Sequence, residues 1–302
     1  MGGWLDILTR GIYSITNGYT PVAMDLGMGD PGNGTPVTGW QKHALSDAGC
    51  LCQLWYLKPY NGEADTFTIQ NLRGGTYLDL SNGSRDNGTR IMGFQRTGEN
   101  QVWIIRQVPG TMFYKIQNRH SQTFVDLKDG LDANGTEIRG WQGDWPDIYY
   151  SRNQLWSFQR LSQTGREINT IINANRYLEN RLSLNTPDKI YWVVDHGLLK
   201  SIWYNANLGR GWQYHYVKDK FDFNDLALAF KSEMAKWRND NVRAEEFGIL
   251  CGVVFTAPGQ QGQNENAYNF VLGNNGRGVY FFEPETGRFS ENIGYDATLA
   301  FL

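Results

Sequence analysis

The strongest constraint in this chain is a threefold repetition. Tyr-Ser-Ile-Thr-Asn at 13–17, Phe-Thr-Ile-Gln-Asn at 67–71 and Tyr-Lys-Ile-Gln-Asn at 114–118 align on their isoleucines. An aspartate follows each isoleucine ten residues on, giving Asp25, Asp79 and Asp126. Nine residues beyond the aspartate stands the glycine of an Asn-Gly-Thr, and fifteen beyond it an aromatic ring followed by Gln: Trp40, Phe94 and Trp141. Each unit closes on Gln-x-Trp, at 53–55, 101–103 and 154–156. Identical offsets in three units of about 45–50 residues mark one folding unit used three times, with a core that closes only between the copies.

Apolar and polar residues alternate around Tyr-Lys-Ile-Gln-Asn, Thr-Phe-Val-Asp-Leu and Glu-Ile-Arg-Gly-Trp, the pattern of short half-buried strands, and Asn-Gly marks turns between them. The expectation is an all-β domain over 1–160, with repeats at about 11–60, 65–109 and 113–160. The repeat stops after Arg160. A polar stretch from Leu161 to Asn180 reads as helical, and 222–239 reads as a longer helix with Phe223, Leu226, Phe230, Met234 and Trp237 at spacings of three and four. Strand-like runs then follow between Gly- and Asn-rich turns, so 162–302 is expected to be an α+β domain.

Composition removes several classes of function. A net charge of −3 with no basic block argues against a nucleic-acid surface. Three cysteines cannot make a disulfide framework, and Cys50-x-Cys52 is neither a redox pair nor half a zinc site. Cys251, inside Phe-Gly-Ile-Leu-Cys-Gly-Val-Val-Phe, reads as a buried strand thiol. No run has the length of a signal peptide or a membrane span, so synthesis in the cytoplasm without a signal peptide, any export by an unconventional route and no membrane insertion are expected. Asn33, Asn82, Asn87 and Asn134 lie in Asn-x-Ser/Thr patterns and are read as turn residues.

The repeated polar residues carry the chemistry. Asp79, Phe94 and Asn100 recur as Asp126, Trp141 and Asn153. A carboxylate, an amide and a flat ring suit a pyranose, which offers paired hydroxyls on one edge and C–H groups on one face. Packing alone does not require a polar trio at fixed offsets, whereas Trp55, Trp103 and Trp156 read as core.

This pattern resembles the ricin-B type β-trefoil lectins, whose signature is a threefold Gln-x-Trp. The resemblance implies three shallow sugar sites. Site β would comprise Asp79, Phe94 and Asn100, and site γ would comprise Asp126, Trp141 and Asn153. Site α would hold Asp25 and Trp40, with Cys52 where the amide is expected.

Beyond the repeats, Phe-Asp-Phe-Asn-Asp at 221–225, Asn-Ala-Tyr-Asn-Phe at 266–270, Phe-Phe-Glu-Pro at 281–284 and Ile-Gly-Tyr-Asp-Ala-Thr-Leu-Ala-Phe at 293–301 resemble the mushroom chimerolectin family. Members of that family join such a trefoil to a papain-like cysteine protease domain that also dimerises. The resemblance implies that Phe223 stands at the nucleophile's position, Asn266 at the base's and Glu283 at the third member's. A phenyl ring cannot attack a carbonyl and an amide does not titrate near neutrality, so the domain is expected to be inactive. Of the acids linked with calcium in the family, Asp222 and Asp225 remain while Asn224 replaces another, which leaves calcium doubtful and no other cofactor expected. The implied function is a multivalent agglutinin of galactose-class glycan termini (α-galactosyl, GalNAc or sialyl-galactosyl) on cell-surface glycoproteins or glycolipids, dimeric through its C-terminal domain. The competing expectation is an active hydrolase or calcium-dependent protease using relocated residues.

Overall fold

Asn-Gly turns and alternating strands build twelve short strands from the three repeats. The fold comes from a computed structural model, which describes residues 8–96, 98–146, 151–178, 190–208, 223–256, 267–294 and 297–302. The first repeat supplies β1 (Gly11–Asn17), β2 (Val22–Leu26), β3 (Thr35–Gln41) and β4 (Leu54–Pro59). The second supplies β5 (Thr66–Asn71), β6 (Tyr77–Leu80), β7 (Thr89–Phe94) and β8 (Trp103–Gln107). The third supplies β9 (Tyr114–Asn118), β10 (Phe124–Leu127), β11 (Thr136–Trp141) and β12 (Trp156–Arg160).

The outer strands of each repeat close a ring. β1 pairs with β4, β4 with β5, β5 with β8, β8 with β9, β9 with β12 and β12 with β1, all antiparallel. The inner strands make three hairpins, β2–β3, β6–β7 and β10–β11. Their second strands join in a triangle, β3–β7, β7–β11 and β11–β3. A six-stranded barrel capped by three hairpins is a β-trefoil.

The closing tryptophans fill the barrel. Trp55, Trp103 and Trp156 are wholly buried, and burying an indole releases roughly 4–6 kcal/mol of gross hydrophobic free energy. Each also satisfies its polar edge. The indole N–H donates to the carbonyl of Met24 at 2.9 Å, of Leu78 at 2.9 Å and of Val125 at 3.0 Å. Those carbonyls belong to the residues immediately before Asp25, Asp79 and Asp126, so the core ring fixes the backbone that carries each aspartate.

By contact density the first compact unit is 1–44 with 49–160 and 242–245, and the second is 45–48 with 161–241 and 246–302. The second unit is α+β. Strand β13 (Ser162–Thr164) leads into α1 (Gly165–Asn173), shorter than the helix expected from the sequence. Its start is set by a capping box between Thr164 and Glu167, and Ile168 and Ile172 bury one face. β14 (Ile190–Trp192) follows, then α2 (His196–Asn205), α3 (Phe223–Asn241) and β15 (Gly248–Ile249). β13, β14 and β15 form one sheet. β16 (Gly252–Thr256), β17 (Ala267–Leu272), β18 (Val279–Glu283), β19 (Arg288–Ser290) and β20 (Ala297–Phe301) form an antiparallel sheet in the order β19-β18-β17-β16-β20. Helix α3 buries Leu226, Ala227, Phe230 and Met234 as its spacing requires.

One local expectation changes. Cys251 is buried, but it lies in the break between β15 and β16 rather than in a strand, with its thiol pushed up to about 12 by burial. Asp195 caps α2 by accepting from Gly197 N, and the half-buried His196 ring stacks on Phe289 at 4.1 Å between centroids. Burial lowers the His196 pKa, with a partly opposing contribution from the Leu272 carbonyl.

Candidate functional site

Each aspartate lies within the second strand of its repeat and is almost fully covered. What holds it is the glutamine of Gln-x-Trp. Gln53 Nε2 donates to Asp25 Oδ2 at 3.0 Å and to the Gln41 carbonyl at 2.9 Å. Gln101 Nε2 makes the same pair to Asp79 Oδ2 at 2.8 Å and Gln95 O at 2.7 Å. Gln154 Nε2 makes it to Asp126 Oδ2 at 3.2 Å and Gln142 O at 3.0 Å. One side chain therefore ties the carboxylate to the residue just past the aromatic ring, and the ring's position relative to the acid is fixed.

In site β, Asn100 Nδ2 adds a bond to Asp79 Oδ2 at 2.9 Å, so that oxygen holds two amide donors. Both of these side-chain donors reach the same oxygen, Oδ2. Phe94 completes the trio on β7, half-buried. Site γ repeats this with Asn153 Nδ2 to Asp126 Oδ2 at 2.5 Å. Here Arg139 also donates from Nε to Asp126 Oδ1 at 3.2 Å, and its guanidinium lies 4.0 Å from the Trp141 ring centroid. A cavity of about 390 Å³ opens among Asp126, Trp141, Gln142, Gly143, Asp144 and Asn153. Lys115, fully buried in β9, braces its edge by donating to Asp144 O at 2.5 Å and Ser151 Oγ at 2.6 Å.

Site α keeps Asp25, Gln53 and the half-exposed ring of Trp40. Cys52 occupies the position of Asn100 and Asn153, and among the described residues it sends no hydrogen bond to Asp25. Burial and the neighbouring Asp25 push its thiol up to about 11, so it stays protonated at neutral pH. At all three sites burial raises the aspartate's pKa above its ordinary 3.8, while the amide donors oppose that shift.

Two solved structures match over the whole fold. A structure of Polyporus squamosus lectin bound to the human-type influenza-binding epitope Neu5Acα2-6Galβ1-4GlcNAc is 32% identical, with a TM-score of 0.83, over 98% of this chain and 100% of that one. A structure described as the PSL1a–E64 complex is also 32% identical, with a TM-score of 0.82 and the same coverage. Family models match as well: "ricin-type beta-trefoil lectin domain-like" over 51–141 and "ricin-type beta-trefoil lectin C-terminal domain" over 163–302. The chain belongs to the ricin-type β-trefoil lectin family. No curated protein sequence matches it.

In this lectin-family chain the sequence missed three things at the sites. The Gln of Gln-x-Trp grips the aspartate as well as marking the core. Arg139 distinguishes site γ from site β, where the residue paired with the aspartate is Met92, and from site α, where it is Thr38. Asn33, Asn87 and Asn134 do more than turn the chain, because each bonds to the next repeat.

In the second unit, Phe223 opens α3 and lines a cavity of about 160 Å³ with Leu226, Ala267, Tyr268, Glu283 and Glu285. Structure thus brings Phe223 and Glu283 together. Asn266 and Asp222 lie outside the described residues. Glu283 accepts from the Thr286 hydroxyl, and Glu285 is held above the usual carboxylate range by burial and by Glu283. Among the described residues no cluster of three or more His, Cys, Asp or Glu is placed to hold a metal. Of the acids that the resemblance links with calcium, Asp225 lies in the first turn of α3 and Asp222 lies outside the described residues, so no role is derived through calcium.

Proposed function

We propose that this chain is a multivalent lectin that binds galactose-class glycan termini at sites β and γ. The observation that carries the reading is the clamped trio: an aspartate fixed by glutamine and asparagine on one oxygen, beside an aromatic ring tied to the same glutamine. Such a carboxylate needs no reorganisation to accept a pair of hydroxyls, and the ring supplies a face for the sugar's C–H groups. Site α, which lacks the amide, contributes little. The printed sialyl-galactosyl epitope of the Polyporus squamosus structure places that terminus among the first ligands to try.

The second unit is proposed to be a papain-like domain without catalytic activity, serving in dimerisation. Supporting this, Phe223 occupies the mouth of α3 beside Glu283, and its side chain can pack but cannot form a thioester. No cofactor is assigned to either unit. Pairing two chains would raise avidity on a cell surface by roughly 10²–10⁴ over a single site.

A glycan array carrying α-galactosyl, GalNAc-terminated and sialyl-galactosyl ligands tests the first part, and binding confined to glycans without galactose-class termini overturns it. Casein, incubated with and without calcium, tests the second. Turnover that survives thiol blocking contradicts an inactive domain.

A further inference from the structure

The three Asn-Gly-Thr turns form a closed relay between repeats. Asn87 Oδ1, in the second repeat, accepts from the backbone N–H of Gln142 at 2.7 Å, directly after Trp141 of the third. Asn33 of the first repeat does the same for Gln95, after Phe94, at 2.8 Å. Asn134 of the third closes the circle on Gln41, after Trp40, at 2.7 Å. The glycine that follows adds a second tie: Gly34, Gly88 and Gly135 donate to the carbonyls of Gly93, Gly140 and Gly39 at 2.9, 2.9 and 3.0 Å. A β-carbon on Gly88 would stand 3.9 Å from the Trp141 ring, and one on Gly135 would stand 3.9 Å from that of Trp40, so the turn borders the neighbour's ring.

The residue after each ring is thus held from both ends. In site γ the Gln142 N–H goes to Asn87 of the preceding repeat, and its carbonyl goes to Gln154, whose amide also grips Asp126. We propose that Asn33, Asn87 and Asn134 are positioning residues for sugar binding, each completing the site of the next repeat rather than its own. This rests on the lectin reading above. It assigns a function to the repeated Asn-Gly-Thr that a turn alone does not need, since the positive φ of the turn falls on the glycine and many residues fit the position before it, but only a side-chain acceptor there reaches across to the next hairpin.

The test uses the full chain and two backgrounds, Asp79→Ala, which leaves site γ, and Asp126→Ala, which leaves site β. N-acetyllactosamine and its α2-6-sialylated form serve as probes in titration calorimetry. Asn87→Ala is expected to weaken binding about threefold in the Asp79→Ala background, the low end for one partly solvated hydrogen bond, and to leave the Asp126→Ala background unchanged. Asn33→Ala should show the reverse. Asn87→Asp, which keeps the acceptor, should restore site γ, and amide exchange at Gln142 should quicken only in the alanine variant. Equal weakening in both backgrounds, or no rescue by aspartate, overturns the proposal. If Asp79→Ala and Asp126→Ala themselves leave binding untouched, the lectin sites are misassigned, and that outcome is distinct from a failed relay.

Discussion

Gln101 donates both amide hydrogens from a position without solvent contact, one to Asp79 and one to the Gln95 carbonyl. Truncating it to alanine removes both bonds at once, leaving Asn100 alone on Asp79 and the Gln95 carbonyl without this donor, and empties a buried position. The expected loss is about 2 kcal/mol in chemical denaturation, larger than for removing Asn100, whose loss leaves Gln101 still on Asp79. The aspartates also set a pH signature. Their folded pKa values lie above 3.8, so they protonate earlier in the fold than in the unfolded chain. Between the unfolded and the raised folded pKa the native state binds more protons, so these groups favour folding at low pH and that contribution is lost as pH rises through the folded pKa. Glycan binding depends on the ionised form and runs the other way. Binding is therefore predicted to fade, as pH falls, at a midpoint above 3.8, with far-UV dichroism still reporting a folded trefoil. Coincident loss of binding and fold would contradict this.

Between elements, the repeats interlock through small residues. Gly39, Gly93 and Gly140 each precede a site aromatic, and a β-carbon on them would lie 2.7, 2.6 and 2.7 Å from a Leu127, Leu26 or Leu80 methyl of the preceding repeat. Gly93→Ala would also meet Thr76 Oγ1 at 2.5 Å and is expected to cost about 1–3 kcal/mol by overpacking, read as a lowered thermal midpoint. The trefoil was legible because its spacing repeats: the offsets located Asp79, Phe94 and Asn100 together, and those residues do converge. What spacing could not show was contact between repeats. Asn87 looked like a turn residue because its partner, Gln142, is 55 positions away. Arg139 carried no signal either, since an arginine in an exposed-looking strand position is ordinary until its partners Asp126 and Trp141 are placed. In the second unit the periodicity of α3 was clear, but the half-burial of His196 carries no local signal, because its covering rings, Tyr280 and Phe289, come from strands more than eighty residues later.

The whole molecule joins a trefoil unit carrying the two proposed sugar sites to a second unit in which Phe223 lines the mouth of α3. Affinity at a single trefoil site is expected to be weak, so the proposed agglutination would depend on several sites acting together. Removing one site should then lower avidity far more than it lowers the affinity of the other. The measurement that bears most directly on this is glycan binding by the double variant Asp79→Ala/Asp126→Ala, compared with wild type by calorimetry and by cell agglutination, with dichroism to establish the fold. The account predicts a folded protein that neither binds N-acetyllactosamine-type ligands nor agglutinates cells. A folded double variant that agglutinates as well as wild type would contradict it.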